Sequence, residues 1–221
     1  MNRPSWLQQK LIEPEHIEKK IAEIRSKKRR GCLQCINSSD SKVIFDEISL
    51  VGESTYSEGD IGDEASSERS RKGPEDDGFR LCRHPLTLAT LNGSFDLLHA
   101  GHLFILHQAR RQADKLLVAL NSDASIRQYK SSDRPIIPLQ YRLELIAALE
   151  CVDYVTWFNE PDPRALLARI KPDVHVNGAE YGENCLEAAT VRENGGRLHL
   201  VHRIPSLSTS AIIERIKLVC V

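Results

Sequence analysis

Leu91-Asn92-Gly93-Ser94-Phe95-Asp96-Leu97-Leu98-His99-Ala100-Gly101-His102 lies where a short apolar run gives way to a helical pattern. Leu86 to Leu91 has the length and composition of a strand, and Leu103, Leu106 and Ala109 repeat at helical spacing over His102 to Ala113. Strand, loop and helix together make the first half of a βα unit. In an open parallel sheet that loop is where ligands sit, facing the free N–H groups and partial positive charge of the helix start. Gly93 lets the backbone pass close to a ligand, and Gly101 lets anionic oxygens approach the helix. His99 and His102, three residues apart on one side of the first turn, can both donate to one phosphate. Neither a Gly-x-Gly-x-x-Gly nor a Gly-x-x-x-x-Gly-Lys spacing is present, which disfavours nicotinamide and P-loop chemistry.

Outward from this stretch the alternation continues. Lys115 to Asn121, Tyr154 to Phe158, Val174 to Asn177 and Arg197 to Val201 read as strands. Helical patterns fall at Leu139 to Glu150 and Pro163 to Ile170, and Ser208 to Lys217 closes the chain as a helix. The expectation is an α/β fold: a single doubly wound, Rossmann-like parallel sheet with flanking helices over residues 86–221. Upstream, Ile17, Ile21 and Ile24 predict an amphipathic helix within Pro14 to Arg30, making residues 1–36 an N-terminal helical extension. Residues 37–85 turn to Ser, Gly, Asp and Glu. They are too poor in apolar surface to offset the entropy of ordering, and are expected as a flexible linker or insertion.

The 221 residues carry 30 Lys and Arg against 31 Asp and Glu, a formal charge of −1 with histidines neutral. No global field favours nucleic acid or an anionic membrane, so any anion site must be local. No run approaches the ~18 apolar residues of a membrane span, and Met1 to Lys20 lacks a signal-peptide core, which points to a cytoplasmic protein. The six cysteines are scattered and read as reduced thiols. Cys32, Cys35, Cys82 and His84 offer zinc-ligand side chains, but the second pair has one intervening residue and lies across the linker, which argues against a tetrahedral site. Lys27-Lys28-Arg29-Arg30 ends the predicted helix before an acidic stretch, so a solvated helix end explains it better than a nucleic-acid contact.

Gly93 through His102 resembles, at every specified position, the signature Gly-x-Phe-Asp-x-x-His-x-Gly-His of the cytidylyltransferase-like branch of the nucleotidyltransferases. The likeness continues through Asn121-Ser122-Asp123, Lys130, Arg134-Pro135, Pro138-Leu139, Arg142, Cys151 to Val155, Val176 to Tyr181, Arg203 and Ser208-Thr209-Ser210. Within that family the chain looks most like the adenylyltransferase domain that converts D-glycero-β-D-manno-heptose 1-phosphate to ADP-heptose. That domain is usually fused to a sugar kinase, for which this chain is expected to be too short. The resemblance implies transfer of AMP from ATP, accompanied by Mg2+, to a sugar 1-phosphate, with release of pyrophosphate. It also implies a separate sugar kinase as supplier and a product used in the lipopolysaccharide inner core. A cytidylyltransferase acting on glycerol 3-phosphate, phosphoethanolamine or phosphocholine shares the His99-x-Gly101-His102 motif, and a catalytically silent nucleotide-binding scaffold is the alternative outside the enzymes.

By the same resemblance His99, His102 and Lys130 act on the phosphates in an in-line displacement at the α-phosphorus. The attacking group is already an anion, so positioning and charge stabilisation carry such a reaction. Gly93, Ser94, Phe95 and Gly101 bring backbone to the nucleotide. Asp96 anchors the loop or meets Mg2+, with anchoring the expectation. Lys130, in a polar loop after the second strand, and Arg142, on a helix, also fit as solvated surface charges. Ser208, Thr209 and Ser210 read as caps of the last helix, whose start suits the leaving pyrophosphate with Arg203 assisting. Asn177 and Glu180 complete the nucleotide-facing set. They stand where the heptose branch commonly has lysine and aspartate, so a neutral amide replaces a cation. Trp6 and the N-terminal helix are expected to pack either on the domain or on a second subunit, the latter giving a homodimer.

Overall fold

A computed structural model describes residues 4–27, 85–202 and 208–219. Five strands form one all-parallel sheet: β1 (Leu88–Gly93), β2 (Lys115–Asn121), β3 (Tyr154–Phe158), β4 (Val174–Gly178) and β5 (Arg197–Val201), in the order β3-β2-β1-β4-β5. The chain steps outward from β1 to β3, then crosses back to β4 on the far side of β1. Of the outward half, α3 (Ala100–Arg110) and α5 (Leu139–Ala147) cover one face through Leu106, Ala109, Leu143 and Ile146. On the return, α6 (Arg164–Ile170) covers the other through Leu166 and Ile170. This is the doubly wound α/β architecture that the alternating pattern predicts. The order reverses between β1 and β4, which leaves a crevice outside their carboxyl ends.

Boundaries follow local chemistry. Helix α3 starts at Ala100 rather than His102 because His99 is extended (φ −145°, ψ 169°) and takes the cap position, which puts His102 inside the first turn. Helices α1 (Ser5–Lys10), α4 (Asp123–Tyr129) and α7 (Ala188–Glu193) are not predicted by the sequence pattern, each being too short for a clear apolar period. A signal for α4 was nonetheless present: Ser122 caps it by accepting the Ser125 N–H.

The N-terminal segment packs on the same sheet and clasps its β3 edge. Leu11 bridges Val155 in parallel, and the Ile12 N–H donates to the Val155 carbonyl at 2.8 Å. From that point α1 lies on one face, with Leu7 in the core beneath it, and α2 (Ile17–Ser26) lies on the other. Ile17, Ile21 and Ile24 pack with Leu88, Leu117 and Phe158 there. An open strand edge invites pairing with another chain, and the clasp covers part of it at Val155. The long helix predicted from Pro14 is a 3-10 turn at Pro14–His16 that feeds α2. Residues 28–30, the predicted linker, Cys32, Cys35, Cys82 and His84 lie outside the described residues. Among the described residues no helix is long and apolar enough to cross a membrane.

Ile24 is fully buried between α2 and the sheet. Ile24→Ala should lower unfolding free energy by about 2–4 kcal/mol in a urea titration, and an unchanged midpoint would show that α2 contributes nothing to the folded unit.

Candidate active site

A cleft of about 600 Å³ opens at the carboxyl ends of β1 and β4. On its β1 side Phe95 adopts φ 47°, in the left-handed region. This turns its buried ring over Gly93, where a Cβ would lie 3.2 Å from Cε2, so a side chain there would press the ring aside by a few tenths of an ångström. The same ring meets that of His102, centroids 5.2 Å apart. His102 in turn stacks on His99 at 3.9 Å and 24° between planes, with Gly101 between them in sequence. Lys130, the residue that ends α4, donates from Nζ to Ser94 Oγ at 3.2 Å. Ser208, Thr209 and Ser210 line the cleft at the start of α8 (Thr209–Val219), and Ser208 Oγ accepts the Ala211 N–H at 3.1 Å. Two helix N-termini therefore face one cavity, together with two imidazoles and an ammonium group.

Beneath this surface a polar layer fixes the loop. Asp96 is buried and does not line the cleft: Arg134 donates from Nε to Oδ2 at 2.6 Å and forms an ion pair with it, and the Ile136 and Ile137 N–H groups donate at 2.8 Å. Burial alone would push its carboxyl up, but the N–H groups of Ile137 and Ile136, then Arg134, hold it below the usual aspartate range. Asp96 is an anchor in this geometry. Arg142 is not a surface charge: it is fully buried and donates to the carbonyls of Ile137, Ser94 and Asn121 and to Asp123 Oδ1.

The β4 side is built differently. Asn177 Oδ1 accepts the Gly178 N–H at 3.0 Å, while its Nδ2 donates to Glu187 Oε2 at 3.5 Å. The Glu180 carboxylate folds over Gly178, whose missing side chain leaves it room. Cys185, a free thiol, and Glu187 line the same wall. His175, behind them in β4, pairs through Nδ1 with Thr90 Oγ1 at 2.8 Å and is pushed down to about 4 by burial, which keeps it neutral. Arg203 lies outside the described residues.

The model of the cytidylyltransferase-like family matches residues 90–215, the whole of this architecture from β1 into α8. The chain belongs to the cytidylyltransferase-like family. It is with that a nucleotidyltransferase. It is 41% identical over 135 residues to the bifunctional protein HldE of Hahella chejuensis and 44% identical over 135 residues to that of Syntrophotalea carbinolica. Each match covers 61% of this chain, which spans 28% of the length of either relative. A lipopolysaccharide core biosynthesis protein from Thermoplasma volcanium is 27% identical, covering 54% of this chain and 97% of that one, at a TM-score of 0.45.

For this cytidylyltransferase-like chain the sequence brought together Gly93, Ser94, Phe95, His99, Gly101, His102, Lys130, Asn177, Glu180 and Ser208 to Ser210, all of which line the cleft. It missed Cys185 and Glu187, which follow β4 in a segment with no periodic pattern to flag them. It left open Arg142, whose burial only the tertiary structure reveals. Among the described residues no group of three or more His, Cys, Asp or Glu side chains could hold a metal ion, so the side chains offer no cage for Mg2+.

Asp96→Ala should cost about 3–5 kcal/mol, because it strands Arg134. The folded carboxyl sits below its ordinary value, so its stabilisation is complete above about pH 4 and is lost as pH falls through the folded value. Urea titrations from pH 7 down to 2 should therefore show wild type converging on the variant, and a gap independent of pH would show that the carboxylate is not the anchor.

Proposed function

We propose that this nucleotidyltransferase moves AMP from ATP to a sugar 1-phosphate, D-glycero-β-D-manno-heptose 1-phosphate, and releases pyrophosphate. The observation that carries the reading is the convergence of the α3 and α8 starts, His99, His102 and Lys130 on one cleft. N–H donors, imidazoles and an ammonium group are what a triphosphate and a second phosphate need. The relatives named bifunctional HldE, at 41% and 44% identity, support the choice of chemistry.

In this reading the acceptor phosphate oxygen attacks the α-phosphorus in line while pyrophosphate leaves toward a helix start. His99 and His102 donate to the phosphates as charge develops, and Lys130 closes over the chain from Ser94. Backbone of the loop Gly93 to Phe95 positions the nucleotide, with Asn177 and Glu180 on the β4 side and Arg203 near the pyrophosphate. Mg2+ enters as part of the MgATP substrate, held by phosphate oxygens and water. The enzyme would work in the cytoplasm, fed by a sugar kinase activity, as a monomer or homodimer.

Pyrophosphate release from the purified chain should appear with ATP and the heptose 1-phosphate. Release with CTP and glycerol 3-phosphate instead would move the assignment to the alcohol-phosphate branch, and no release with any pair would sink the enzyme reading. His102→Ala should lower kcat about 10²–10³-fold with an unchanged circular dichroism spectrum.

A further inference from the structure

Glu187 is 9% exposed, yet it forms part of the cleft wall. It holds the cap position of α7 without capping that helix, so its side chain is spent on the cleft rather than on backbone N–H groups. Asn177 braces it: the amide oxygen is taken by Gly178, which orients the amide nitrogen toward Glu187 Oε2. The Cys185 thiol touches both Asn177 and Glu187, and burial pushes it up, so it stays neutral and adds no charge. Arg164, a cation that feels Glu187, is already held by Asp162. The cleft is therefore divided. Cationic and N–H groups gather around His99, His102, Lys130 and the helix starts, and at the β4 end, beside the Glu180 carboxylate folded over Gly178, Glu187 presents a second carboxylate with lone pairs to spare.

That carboxylate repels phosphate, so the part of a ligand that meets it must donate hydrogen bonds. The exocyclic amine of adenine or cytosine is a poor match, because a ring-nitrogen acceptor flanks it and would face the second carboxylate oxygen. Neighbouring hydroxyls supply two donors side by side. We propose that Glu187, braced by Asn177 and Cys185, reads a vicinal diol of a sugar ring through both carboxylate oxygens. The inference rests on the cleft being a nucleotide and sugar-phosphate site, and the diol belongs either to the ribose of ATP or to the acceptor sugar.

Calorimetric binding to the full chain separates the two sources. One arm compares ATP with 2′-deoxy-ATP, and the other compares D-glycero-β-D-manno-heptose 1-phosphate with its 2-deoxy counterpart. Wild type should prefer the hydroxylated ligand about 10- to 100-fold in one arm, the scale of hydrogen bonds to a charged acceptor. Glu187→Ala should reduce that ratio to about twofold or less, with Glu187→Gln, which keeps the shape, in between. If the alanine variant does not fold, the glutamine variant decides. Ratios unchanged by substitution in both arms would overturn the proposal. A chain that releases no pyrophosphate but still tells ATP from 2′-deoxy-ATP through Glu187 loses the transferase reading and keeps this one. A working transferase indifferent to Glu187 does the reverse.

Discussion

A guanidinium taken fully out of water is tolerated only when its N–H groups find acceptors, since the desolvation cost of an unpaired buried charge is several kcal/mol. Arg142 meets that condition by reaching four segments at once: the loop after β1 at Ser94, the end of β2 at Asn121, the start of α4 at Asp123 and the approach to α5 at Ile137. Asp96 is its counterpart, an anion whose donors come from Arg134, Ile136 and Ile137. The loop that carries the histidines is thus tied at two points to the segment from 134 to 142. The stacked pair of imidazoles stands on this polar layer, and the wall of the cleft that carries them inherits its rigidity.

The alternation of apolar runs and helical patterns made the sheet legible, because strands buried on both faces must be continuously apolar and crossovers must be amphipathic. Strand β2 coincides with its predicted range for that reason, while the edge strands β3 and β5 do so through shorter apolar stretches such as Leu198, Leu200 and Val201. The Gly93 to His102 motif was legible because its chemistry is local: one strand end, one tight loop and one helix start. Arg142, Glu187 and Cys185 were not, since their meaning depends on partners brought from distant parts of the chain. A lone arginine on a helix reads as a solvated charge until the loop that lies over it is known. The position of the N-terminal helix was likewise undecided by its own isoleucines, which require an apolar partner without specifying which.

With a formal charge of −1 the molecule has no field to draw phosphates from a distance. In the proposed reaction, recognition then falls to short-range donors that line the cleft. A cleft with cationic groups at one end and a carboxylate at the other also orients a ligand that carries phosphates on one side and hydroxyls on the other, without further contacts.

The clasp at the β3 edge has a consequence for biosynthesis. Ile17, Ile21 and Ile24 leave the ribosome well before the strand and helix they cover, Phe158 and Ile170 being more than a hundred residues further along. Contacts of such long range are slow to form, and apolar segments left waiting are open to misassociation. Until translation passes α6, the apolar face of this amphipathic helix waits in water for part of the surface that will cover it.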